Sequence, residues 1–216
     1  MYRERKIIVS KVFTYSYNEP KQERSKARFN EVLKTAEFIL MNKGAYNLTV
    51  QDISRLSGMK RPSIYKFFPS NESILEALSI QQARSLQNLI YNNLKNSSKE
   101  SLLESIKVII DVYTIYVNNN HPISSLVFNE IAKYYLFENI LKELGDVHTG
   151  NENKTRFVLS IINSCLGDFY YSEGAISPKC VSETKKACLL YLSSYCLLYT
   201  SPSPRDCKTS RMPSSA

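Results

Sequence analysis

Thr49 to Glu72, TVQDISRLSGMKRPSIYKFFPSNE, is the stretch whose reading decides the fold. Thr49 precedes an apolar series, Val50, Ile53 and Leu56, spaced by three. Asp52 sits three residues after Thr49, the arrangement of a capping box, in which two side chains satisfy amides of a helix's first turn. Gly58 supplies the permissive backbone that a sharp turn between helices requires. Lys60-Arg61 then precede Pro62, a residue that helices tolerate only in their first turn. Ile64, Phe67 and Phe68 give this second helix a buried edge, leaving Ser63, Tyr65 and Lys66 to face outward. Pro69 stops it. Ser70 and Glu72 open a third helix, with the acidic group set favourably against the helix dipole. The pattern is a helix-turn-helix.

Upstream, Arg24 to Lys43 reads as a helix with Phe29, Val32, Leu33, Ala36, Ile39 and Leu40 on one face, ended by Gly44 in a left-handed conformation. Tyr46 and Leu48 are expected to fold back onto it, closing a core with Ile53, Leu56, Ile64 and Phe68. Such a small core is marginal alone and should lean on the next helix, Asn71 to Lys95. Ile74, Leu75 and Leu78 of that helix point to the first core; Leu86, Leu89, Ile90 and Leu94 point to a second. Helices follow over Lys99–Asn118 and Lys154–Glu173, and a last one over Ser182–Tyr195. Between them Ile123–Leu144 reads as two helices joined near Lys133–Phe137, and Gly145–Asn153 as a polar loop. No strand alternation, internal repeat or glycine-rich phosphate loop is present. The expected fold is all-α: a three-helix helix-turn-helix domain over residues 23–70 joined to a helical bundle over 71–195.

The two ends stand apart. Residues 1–22 read as a disordered or basic arm, or as an extension upstream of the true start, expected to be poorly ordered, with an apolar run too short for a signal peptide. Cys196–Asp206, CLLYTSPSPRD, is what a transposase-type sequencing adapter yields on translation, and the residues beyond fit its far end. Residues 196–216 are therefore read as an artefactual tail whose composition does not support packing. Without it Cys165, Cys180 and Cys188 remain, an odd and scattered set that fits reduced thiols in the cytoplasm. His121 and His148 fall in separate expected loops, so neither a metal site nor a cofactor is expected. No apolar run reaches the length of a membrane helix.

Charge separates the halves. Residues 1–72 carry 14 Lys/Arg against 7 Asp/Glu, whereas residues 73–195 carry 11 against 12. The basic character belongs to the helix-turn-helix end, as a nucleic-acid partner for that end alone requires. Lys60, Arg61 and Lys66 cluster on one short helix.

Leu48-Thr49, Ile53, Gly58-Met59, Ile64-Tyr65, Phe67-Phe68-Pro69-Ser70 and Glu72 resemble the N-terminal signature of TetR-type transcriptional repressors, and the resemblance runs from about Arg24 to about Leu78. It implies binding of double-stranded DNA, with the helix from Arg61 to Phe67 lying in the major groove. Arg61 would contact a base, Ser63, Tyr65 and Lys66 phosphates, and Thr49 would anchor the backbone through the preceding helix. Lys60, Pro62 and Phe67 complete the expected DNA-binding set. Three positions depart from the family pattern: Lys60 stands where Ser or Thr caps the helix, Asn71 where Lys binds phosphate, and Phe67 where His or Tyr is common. The resemblance further implies a homodimer through residues 154–173 and 182–195, on a palindromic site. It places a small, largely apolar inducer among Tyr113, Tyr116, Phe128, Tyr134, Phe157 and Phe169, with Tyr135 and Phe137 nearby. The expected function is a repressor released by that ligand. The alternative is a DNA-binding regulator controlled by a protein partner or by no ligand. No enzymatic activity is expected, since no nucleophile–base set, metal motif or nucleotide motif is assembled.

Overall fold

The computed structural model describes residues 15–43, 48–96, 101–119, 123–145 and 152–199. Among them the chain is all-helical, with no strand. The helices are α1 (Glu23–Lys43), α2 (Val50–Ser57), α3 (Arg61–Tyr65), α4 (Asn71–Asn96), α5 (Leu102–Asn119), α6 (Glu130–Gly145), α7 (Glu152–Glu173) and α8 (Pro178–Tyr199), with a 3₁₀ segment over Ile123–Phe128. Gly44, Tyr46, His121, His148 and the polar loop's centre lie outside the described residues.

Two apolar cores form. The first gathers Phe29, Val32, Leu33, Ala36, Ile39 and Leu40 of α1 with Leu48, Ile53, Ile64, Phe68, Ile74 and Leu78. The second runs from Leu86, Ile90 and Leu94 of α4 through Ile106, Ile109 and Tyr113 to Val158, Ile162, Leu166 and Cys188. The 26-residue α4 serves both, and Tyr135 of α6 packs against both.

Several expectations are corrected. Leu56 is 49% exposed rather than in the core. Three-residue steps drift by about 60° each in a helix of 3.6 residues per turn, so Leu56 is turned roughly 120° from Val50. Leu89 is also exposed, beside the buried Leu86 and Ile90. The join in the middle of the bundle falls at Asn129, not at 133–137: its side-chain oxygen accepts from the Ile131 amide at 3.0 Å, and its carbonyl from the Lys133 amide at 2.8 Å, an N-cap that starts α6. The last helix begins at Pro178 rather than Ser182, because Ser177 caps it (Cys180 N to Ser177 Oγ, 3.3 Å) and proline fits the first turn. It continues to Tyr199, four residues into the expected tail, since Cys196–Tyr199 hold no helix breaker.

The expected arm is corrected over its described part, while residues 1–14 lie outside the described residues. Residues 15–22 lie on the protein: Tyr17 is buried between Phe29 (5.8 Å between ring centroids) and Phe68 (6.2 Å), and Tyr15 stacks on Tyr17 at 5.1 Å.

Candidate nucleic-acid interface

The reading head is built by local chemistry. Thr49 is extended (φ −128°, ψ 146°), and its hydroxyl accepts from the Asp52 amide at 3.1 Å, closing the first turn of α2. The same hydroxyl donates to Asp52 Oδ2 at 2.8 Å, and Arg55 reaches Asp52 Oδ1 at 2.7 Å. Thr49 therefore works first as a cap, and a phosphate would compete with Asp52 for its proton. Gly58 ends α2 at φ +69°, a region where a side chain is strained. Serines stitch the turn: Ser57 Oγ donates to the Ile53 carbonyl at 2.7 Å, and Ser54 Oγ to the Met59 carbonyl at 2.7 Å.

The turn delivers α3 with one face in and one face out. Ile64 is fully buried; Arg61, Pro62, Tyr65 and Lys66 are exposed and Ser63 is half-buried. Lys60, also exposed, precedes the helix without a side-chain capping bond, a loss of about 1 kcal/mol against a serine or threonine cap. Phe67 departs from the expected contact set. It is 8% exposed and meets Phe29 edge-on at 6.0 Å, because the chain leaves the helix after Tyr65 and turns both phenylalanines inward. It belongs to the core. Asn71 also has a local role: its side-chain oxygen accepts from the Val50 amide at 3.2 Å, tying the starts of α2 and α4 together. Ser70 and Ser73 exchange amide-to-hydroxyl bonds of 3.2 and 3.3 Å at the start of α4. A hydrogen bond from Ser70, with one from its own amide, holds the Glu72 carboxyl below its ordinary range.

Of the residues expected to line a ligand pocket, Tyr113, Tyr116 and Phe128 share the bundle core, whereas Phe157 and Phe169 do not join them. Tyr113 is buried, stacks on Phe128 at 5.6 Å and donates from its hydroxyl to Asn163 Oδ1 at 3.0 Å. Tyr116 donates to Gln82 Oε1 at 2.5 Å, and burial pushes its hydroxyl up to about 12. Tyr134 is half-buried on α6. Phe157, 61% exposed, and Phe169 instead turn outward from α7. The helix buries Thr155, Val158, Leu159, Ile162, Leu166 and Tyr170, and Phe157 lies one residue off that stripe.

Sequence reasoning missed two sets of residues around the reading head. Asn18 donates from its amide to the Phe67 carbonyl at 2.8 Å and from Nδ2 to the Lys66 carbonyl at 3.2 Å. Ser16 donates from its amide to Glu76 at 3.2 Å and from its hydroxyl to the same carboxylate. The partners are 48 and 60 residues apart in sequence, and no local signal announces them.

Residues 32–78 match the family model described as bacterial regulatory proteins, tetR family. Over this domain the chain is similar to that family. The match spans α2, the Gly58 turn, α3 and the start of α4, the elements that carry the exposed cations. Whole-chain similarity extends to solved structures. A TetR-family transcriptional regulator from Streptomyces coelicolor aligns at TM-score 0.65 with 13% identity, over 77% of this chain and 98% of that one. A Rhodococcus sp. RHA1 protein of unknown function aligns at 0.55 with 12% identity, over 76% and 93%. RolR in complex with resorcinol aligns at 0.56 with 11% identity, over 84% and 97%. At these identities the likeness shows the fold, that of an N-terminal helix-turn-helix with a helical domain behind it. No curated protein sequence matches the chain. The matched segment is the helix-turn-helix, and over it the chain is similar to bacterial regulatory proteins. Among its described residues, no helix is long and apolar enough to cross a membrane.

Proposed function

We propose that this regulator binds a palindromic DNA site as a homodimer and represses transcription until a small, largely apolar ligand releases it. The observation that carries the DNA part is the division of α3: Ile64 and the following Phe67 and Phe68 are buried, while Arg61, Tyr65 and Lys66 stand exposed together. A helix end so presented fits the major groove, where Arg61 would pair with a base edge. Lys60, Ser63, Tyr65 and Lys66 would meet phosphates, and Thr49 would do so by releasing Asp52. Reading heads at residues 23–70 and a ligand and dimer domain at 71–195 follow from the same proposal.

One head neutralises few phosphates, so useful affinity calls for two. The outward apolar residues of α7 and α8 supply a pairing surface. Leu190 is 69% exposed, Phe157 61%, and Leu189 and Phe169 are exposed as well, a concentration that single soluble chains rarely leave uncovered. Phe157 and Phe169 are thereby reassigned from pocket to interface.

Ligand control is supported by the aromatic interior of α4–α7 and by the resorcinol complex of a protein of similar fold. Such a ligand acts only by favouring one spacing of the two heads over another. The alternative, regulation without a ligand, is favoured by the closeness of packing: Tyr113 and Tyr116 already have hydrogen-bond partners, and Phe128 is hemmed by Tyr113, Tyr170 and Tyr171.

Selection of bound duplexes from a random pool tests the proposal, repeated with Arg61→Ala and Tyr65→Ala. A palindromic consensus should emerge for the native protein and blur at one position of each half-site in Arg61→Ala. Failure to enrich any duplex at modest salt would end this reading.

A further inference from the structure

α3 is five residues long, too short to hold its own direction, and its last carbonyls depend on partners from elsewhere. Two are met within the turn: the Lys66 amide bonds to Pro62 O at 3.2 Å, and the Phe67 and Phe68 amides bond to Ile64 O at 3.0 and 2.9 Å. Just past the helix end, the carbonyls of Lys66 and Phe67 receive the side-chain and main-chain N–H groups of Asn18. Asn18 is itself held. Its neighbour Tyr17 is buried in the reading-head core, and Ser16 is fastened to Glu76 in the second turn of α4. Residues 15–18 thus form a strap from α4 to the exit of α3, and the carbonyl gripped by Asn18 Nδ2 belongs to Lys66, one of the cations on the exposed face.

We infer that Asn18 is a positioning residue for DNA reading, fixing the angle at which α3 is presented relative to α4. The inference rests on the DNA-binding reading proposed above. A bond that only stabilised the fold would change how much protein is folded. A bond that sets the helix's angle changes how well right and wrong sequences are told apart, because only the base-edge contacts it aims carry sequence information.

The test uses the full chain and a duplex selected by the native protein, compared with a scrambled duplex of equal length. Asn18→Ala keeps the main-chain bond to Phe67 and loses the one to Lys66. It should lower the ratio of the two affinities about fivefold, the order expected for one hydrogen bond, with little change in affinity for the scrambled duplex. Asn18→Asp, which sets an acceptor against the carbonyl, should lower the ratio at least as far. Glu76→Ala, which frees Ser16, should move it the same way. Hydrogen exchange at the Phe67 and Phe68 amides should quicken in Asn18→Ala under conditions where the protein stays folded. If the native protein discriminates and Asn18→Ala and Asn18→Asp discriminate equally well, whatever their unfolding midpoints, the inference is wrong and the DNA-binding reading survives. A native protein that prefers no duplex overturns both.

Discussion

Replacing Gly167 by alanine decides whether the bundle interior is closed or has room. Gly167 lies inside α7, and a Cβ built there would sit 3.1 Å from Phe128 Cδ1 and 3.5 Å from Cγ. Two effects oppose each other. Alanine is favoured over glycine in a helix interior by about 1 kcal/mol, whereas forcing an extra carbon into a packed core costs about 1–3 kcal/mol. The balance depends on whether the Phe128 ring retreats. Tyr113 stacks on it at 5.6 Å, with Tyr170 at 5.7 Å and Tyr171 at 5.9 Å, so the ring has neighbours wherever it turns. Gly167→Ala should therefore destabilise the protein by about 1 kcal/mol net. In a Phe128→Leu background the obstacle is smaller, and the same substitution should become neutral or stabilising. The coupling between the two sites should be of the order of 2 kcal/mol. Urea unfolding of the four proteins, with a common slope, measures each difference. If Gly167→Ala alone raises stability, Phe128 has space to move into; the close-packed interior argued above is then refuted, and a ligand-sized void gains support.

Arg61→Ala should weaken binding to a selected duplex by about 1–3 kcal/mol and relax preference at one base pair of each half-site, while Lys66→Ala should weaken all duplexes alike and shallow the salt dependence; competition binding at several salt concentrations separates the two. Leu190→Glu should leave the helical spectrum unchanged, since Leu190 is already exposed, yet turn a dimer into a monomer on sedimentation; an unaltered dimer removes α8 from the interface. Gly58→Ala, with nothing within 4 Å of the new carbon, should cost about 1–2 kcal/mol through backbone strain alone, and Gly58→Asn less, as read by urea midpoints. Burial pushes the Cys188 thiol from its ordinary 9.0 up to about 12. The unfolded chain then loses this proton at lower pH than the folded one, so stability is intact below pH 9 and falls as pH rises toward 12; Cys188→Val should flatten that part of the alkaline unfolding profile.

The features legible in the sequence were those set by neighbours along the chain. Thr49 with Asp52, Gly58, Pro62 and Pro69 punctuate the helix-turn-helix through contacts within a few residues, and each could be read directly. Spacing showed that α7 has an apolar stripe but not which neighbour the stripe meets, so Phe157 was placed inside when it stands outside. Leu56 was misplaced because a repeat of three only approximates the helical turn. The start of α8 is legible in Ser177-Pro178, a capping serine before a first-turn proline. Asn18 and Ser16 were beyond reach, since their partners lie 48 and 60 residues away and nothing in an asparagine between tyrosine and glutamate foretells a distant carbonyl.

Tyr135 packs against both apolar cores, with the Arg84 guanidinium 5.6 Å from its ring centroid. Tilting the DNA-reading end against the bundle must draw this one side chain out of one seat or the other. The joint between the two halves thus resists small tilts, with Tyr135 sharing that load with Ile123, Leu126 and Ile131, which also pack on the first core.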